Sequence, residues 1–104
     1  MPDAVTITVA WTIKPECTDA FVEALRGMFP VTRLHAGFRN IRLIRSDADA
    51  NQFLLIEEWD EARNFQDYAQ FRTNTGDTAG LLAMTANPPQ MGVWMLDPLA
   101  EARA

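Results

Sequence analysis

With 104 residues and a net charge of −5, the chain is sized for one domain spanning 1–104, whose modest core a second subunit would help to complete. The acidic balance speaks against nucleic acid as a partner, since that needs a positive field, and no apolar run nears the ~18 residues that cross a membrane. The one cysteine, Cys17, excludes an internal disulfide, and the lack of a charged leader ahead of the first strand makes a cytoplasmic protein the expectation.

Val5, Ile7, Val9, Trp11 and Ile13 alternate with Thr6, Thr8, Ala10 and Thr12, the period of a strand with one strongly apolar face. Lys14-Pro15 ends it. Thr18 is placed to cap a helix, with Asp19 in the first turn, where the helix dipole favours an acid. Phe21, Leu25, Met28 and Phe29 share one face of that helix. Pro30 has no amide hydrogen and its ring crowds the preceding turn, so a kink or stop is expected there. Val31 and Leu34 then form a last irregular turn, and Gly37 closes the segment.

Phe38 to Arg45 reads as a second strand. Ile41 and Leu43 share a face with Arg39 and Arg45, while Arg42 and Ile44 lie opposite. Ser46 to Asn51 is a polar turn. Phe53 to Trp59 is a third strand, apolar on both faces near its start. Asp60 is the expected cap of a second helix with Phe65, Tyr68, Ala69 and Arg72 or Phe71 turned inward, ending at Asn74 to Gly76. Ala79 to Ala86 reads as a short third helix stopped by Pro88-Pro89. Gln90 to Leu96 is a last strand, also apolar on both faces, ended by Asp97-Pro98 and followed by a frayed tail. The order strand, helix, strand, strand, helix, strand is the ferredoxin-like α+β pattern, βαββαβ on an antiparallel sheet. Its helices cover one sheet face. Strands apolar on both faces therefore call for a second copy on the other, a homodimer closing a dimeric α/β barrel.

The aromatic residues Trp59, Phe65, Tyr68 and Phe71 are close in sequence, and Trp11 stands on the apolar face of the first strand. The plainer account makes them core, since aromatic side chains dominate buried area. The functional account makes them the walls of a pocket for a flat ligand, with Phe65, Phe71 and Trp11 as substrate contacts. Tyr68 has a hydroxyl that needs a partner if buried. Arg72, one turn on, is suited to anchor an oxyanion or to pair with an acidic residue. His35, the only histidine, is a candidate proton acceptor at a cleft mouth, or simply a hydrogen-bonded polar residue. One histidine excludes a multi-histidine metal site.

Other patterns carry less. Asp47, Asp49 and Asn51 with Glu58 imitate a calcium loop, but Gln52 stands where the sharp turn requires Gly and strands flank it, so a hairpin turn accounts for them. Glu57 and Glu58 are adjacent on a strand and point to opposite faces, so they are not one acid–base pair. Arg39, Arg42 and Arg45 suit an edge strand that must resist aggregation. Ser46 is the only serine and lacks a GxSxG setting, and there is no P-loop or GxGxxG.

Lys14-Pro15 after the first strand, Thr32-Arg33 before Gly37-Phe38, and Phe53…Glu57-x-Trp59 followed by Tyr68 and Arg72 resemble the antibiotic biosynthesis monooxygenase (ABM) family over about Val5 to Leu96. The resemblance implies a ferredoxin-like homodimer with a pocket between helices and sheet. It also implies a monooxygenase that oxidises a small phenol- or quinol-like molecule with dioxygen and no cofactor, because the deprotonated substrate itself reduces oxygen. Of the family's site residues Trp59 carries over, as a wall of the site; residue type and likely placement suggest that Tyr68 and Arg72 orient a hydroxyl or oxyanion and that His35 accepts a proton at the mouth. Phenol-oxidising members carry an Asn four residues before the Trp and a hydroxyl six after it; this chain has Leu55 and Phe65. Haem-degrading members carry a His on the second helix, where this chain has Ala69 and Gln70. A non-catalytic small-molecule-binding dimer and a haem-binding protein with His35 as ligand are the alternatives.

Overall fold

The alternation in the first strand organises the sheet. In the computed structural model, which describes residues 4–97, 99–102 and 104, Val5–Thr12 forms β1. Along β1, Val5, Ile7 and Trp11 are buried and the intervening threonines face the other way. β1 pairs antiparallel with β3 (Gln52–Trp59) on one side and with β4 (Gln90–Met95) on the other. β2 (Phe38–Arg45) joins β3 in turn, giving the order β2-β3-β1-β4. With α1 (Thr18–Thr32), α2 (Ala62–Thr75) and α3 (Asp77–Leu82), this is the expected ferredoxin-like α+β fold.

Several local expectations are corrected. Thr18 does not cap α1: Pro15–Cys17 is a one-turn 3-10 helix running straight into it, and the Thr18 hydroxyl turns back to the Pro15 carbonyl. Pro30 does not stop α1, which continues to Thr32. The bond Pro30 cannot make would go to the Arg26 carbonyl, and both residues are exposed, so water can serve that carbonyl. Glu61, not Asp60, caps α2, in a reciprocal box with Asn64, while Asp60 pairs with Arg39. α3 begins at Asp77 because Gly76, at φ 86°, turns the chain left-handed. It ends at Leu82 because the amide of Ala86 and the carbonyl of Met84 bond to Thr12 and Lys14 instead.

A β-bulge between Phe38 and Asn40 takes Arg39 out of register. It lets both Phe38 and Ile41 face the helices, three residues apart, which unbroken alternation forbids. The hairpin turn uses the Ser46 hydroxyl to accept the amides of Ala48 and Asp49 and the Asp49 carboxylate to accept that of Asn51. β4 stops at Met95, one residue before expectation; Pro98, its expected terminator, lies outside the described residues.

The core lies on one side of the sheet. Phe21 and Leu25 of α1 pack with Trp11, Phe53 and Leu55, and Tyr68 of α2 packs with Val5, Ile7 and Trp59. The opposite face shows half-buried Thr6, Thr8, Leu54 and Ile56. At its edges Ile44 is 43% and Trp94 57% exposed. The Trp94 indole donates to Thr8 (2.7 Å) and lies close over Gly92, where a Cβ would strike its ring.

Candidate active site

Between the helices and the sheet lies a cavity of about 220 Å³. Val9, Trp11, Leu55 and Glu57 form its floor. Met28 and Phe29 of α1 stand on one side, and Phe65, Tyr68 and Arg72 of α2 on another. Leu81 and Leu82 of α3 help close it.

Glu57 is the outlier in this apolar chamber. Strand parity puts it on the helix-facing side with Phe53, Leu55 and Trp59, and it is 3% exposed. Its Oε1 accepts the Trp59 indole N–H (3.1 Å); Oε2 has no partner among the described residues. Loss of water penalises the ionised form and raises the pKa from 4.5 to about 7, against the smaller opposing pull of the Trp59 hydrogen bond.

Behind the cavity wall is a polar network. The Tyr68 hydroxyl lies 2.7 Å from Thr32 Oγ1 and accepts from Arg72 Nε (2.9 Å). Arg72 Nη2 donates to the Met28 carbonyl (2.8 Å) and to Thr32 Oγ1 (3.1 Å), and Nη1 pairs with Asp77 (2.8 Å). The planar guanidinium thereby ties α1, α2 and α3 together. The Thr75 hydroxyl first, and Arg72 after it, hold the Asp77 carboxyl below its usual range.

The antibiotic biosynthesis monooxygenase profile matches residues 4–72, from the start of β1 through the last turn of α2. The chain belongs to that family. Solved structures of the same fold include SnoaB, a cofactor-independent oxygenase from Streptomyces nogalater (17% identity, 91% of this chain and 94% of that one, TM-score 0.81). A conserved protein from Methanosarcina mazei Go1 is similar too (11% identity, 92% and 95%, TM-score 0.85), as is a Mycobacterium tuberculosis protein (21% identity, 96% and 99%, TM-score 0.79). No curated protein matches the sequence.

Of the family-like residues, the fold brings Trp11, Phe65, Tyr68 and Arg72 to the cavity. Trp59, His35 and Phe71 do not line it. Trp59 is fully buried beneath it, its ring 5.1 Å from that of Tyr68 and 5.5 Å from that of Phe38. His35 stands behind Tyr68 and Phe71, at ring distances of 5.0 and 4.7 Å. Arg72 keeps both of its expected possibilities in view: it reaches the cavity and also carries the ion pair.

Glu57 is the cavity residue to which sequence reasoning gives no site role, although it stands among the family marks. Considered as half of a pair with Glu58 it carries nothing, and parity rightly dissolves that pair. The usable signal is different: a lone carboxylate in the stripe Phe53, Leu55, Glu57, Trp59, where every other member is apolar. A second oddity is the Trp11 indole N–H, buried and without a partner among the described residues.

Proposed function

We propose that the protein is a cytoplasmic monooxygenase that binds a small, flat, electron-rich phenol or quinol in the helix–sheet cavity and promotes its oxidation by dioxygen. The observation that carries this reading is the apolar cavity between the helices and the sheet. A 150 Å³ apolar cavity accepts benzene, so about 220 Å³ suits one to two fused rings and is tight for three. Trp11 and Phe65 supply flat contact surface, and Tyr68 with Arg72 fixes one edge of the ligand. Trp59, Phe71 and His35 support that wall from behind. A porphyrin is far larger than this chamber, which argues against the haem alternative.

The chemistry needs little from the protein beyond position, dryness and proton transfer. A naphthalene-1,4-diol that loses one hydroxyl proton becomes electron-rich at the neighbouring ring carbon. That carbon forms a C–O bond to dioxygen, and the resulting hydroperoxide loses water to leave the hydroxyquinone. One oxygen atom stays on the ring, the other leaves as water, and all the electrons come from the substrate.

The family fold is read here as a homodimer through the open sheet face, where Ile44, Leu54, Ile56 and Trp94 form an apolar patch. The second reading, a binding module without turnover, draws on the Tyr68–Arg72 network, whose polar atoms are already engaged. Oxygen uptake with naphthalene-1,4-diol, set beside thermal-shift binding, separates the two. Uptake above the buffer rate with hydroxynaphthoquinone as product is expected. Binding without uptake selects the module, and neither binding nor uptake overturns the aromatic-ligand reading.

A further inference from the structure

We propose that Glu57 is the general base of this site, accepting the hydroxyl proton of a bound phenol or quinol on Oε2 while Trp59 holds Oε1. The assignment rests on the aromatic-ligand reading and adds the group that starts the reaction. Three observations support it. Glu57 is 3% exposed yet forms part of the cavity floor, so what it still meets is the cavity. Among the described residues only one of its oxygens is used, by an indole that cannot accept a proton and therefore fixes the carboxyl without competing for the substrate's proton. And no other group qualifies. Among the described residues the only other titratable side chains on the cavity are Tyr68 and Arg72, both from α2. The surfaces that α1, α3, β1, β2 and β4 turn to it carry none among the described residues. Arg72 is a permanent cation whose charge Asp77 balances. The Tyr68 hydroxyl is engaged by Thr32 and Arg72. His35, the base expected from sequence, packs against the Tyr68 ring and does not line the cavity.

The step is a plain proton transfer. The O–H bond of the substrate breaks, both electrons stay on its oxygen, and the proton forms a new O–H bond at Oε2. No electron changes hands until dioxygen reacts with the ring. A base titrating near neutrality suits this step, because it is ionised in a useful fraction at physiological pH and is far more basic than a solvated carboxylate. Trp59 is a positioning residue, acting through Glu57.

Two readouts test the assignment on the intact protein. The first is steady-state oxidation of naphthalene-1,4-diol by wild type, E57Q and E57D across about pH 5.5 to 8.5. The second is equilibrium binding of 2-naphthol, which stays protonated and is not turned over, across the same range. Wild-type kcat/KM should rise with pH and level off above about 7. E57Q should lose at least about a hundredfold in kcat, and E57D should recover part of it. 2-Naphthol should bind wild type severalfold more tightly at the alkaline end, with no such trend in E57Q. E57Q turning over at the wild-type rate, or a wild-type naphthol affinity that ignores pH, removes Glu57 from this role and leaves the oxygenase reading standing. Wild type that binds naphthol with the expected pH trend but oxidises no quinol does the reverse: the proton acceptor stands and the oxygenase reading falls.

Discussion

Replacing Glu57 by Gln isolates the energetic consequence of placing an ionisable group under the helices. Gln keeps the shape and can still accept the Trp59 indole N–H through its amide oxygen, but it never ionises. In the folded protein the Glu57 pKa is raised from 4.5 to about 7. At about 1.36 kcal/mol per pKa unit, this corresponds to about 3 kcal/mol of preference for the neutral form in the fold. The sign follows from proton linkage. Below about pH 4.5 both folded and unfolded chains hold the proton and the group is neutral in each. Between there and about pH 7 the unfolded chain loses its proton first, so wild-type stability falls as pH rises. Above that the loss is complete and constant. E57Q should escape it, so its stability relative to wild type should grow by about 3 kcal/mol from pH 4.5 to pH 8. The measurement is urea unfolding followed by tryptophan fluorescence, at several pH values and one fixed protein concentration, because any oligomer makes stability depend on concentration. A stability difference between the two proteins that stays flat over this range would mean that Glu57 meets water freely, and the burial argument would be wrong.

Arg72→Lys should cost about 3 kcal/mol in the same assay, because one ammonium cannot replace the planar donors that serve Tyr68, Thr32, Met28 and Asp77 at once; a loss below about 0.5 kcal/mol would show that the network is not a tie between helices. Ile56→Lys places a charge in the middle of the open sheet face and should shift sedimentation from dimer to monomer while circular dichroism stays unchanged; a wild type that sediments as a monomer removes the proposed pairing altogether. Gly37→Ala should lower stability by at least about 2 kcal/mol, since the backbone at φ 82° disfavours a side chain and the new methyl collides with the Asn64 side chain of the α2 capping box; restoration by a second change, Asn64→Gly, would trace part of the loss to that collision.

The division of labour between sequence and tertiary structure is visible residue by residue. The period-two stripes of β1 and β3, the polar hairpin at Ser46 to Asn51 and the inward positions of α2 were legible because they depend on local periodicity and turn chemistry, and so was the ferredoxin-like order they compose. The family marks Glu57-x-Trp59, Tyr68 and Arg72 could likewise be read directly. Pairing set the rest. The bulge at Arg39 depends on how β2 registers against β3, and the early end of α3 depends on Met84 and Ala86 being drawn to the end of β1. Glu57 could be assigned to a strand face from its position alone. Whether that face met bulk water, a countercharge or an apolar cavity depended on helices packing from distant parts of the chain. A carboxyl's proton affinity follows its surroundings, so the property that makes Glu57 chemically interesting exists only once β3, α1 and α2 are assembled around it.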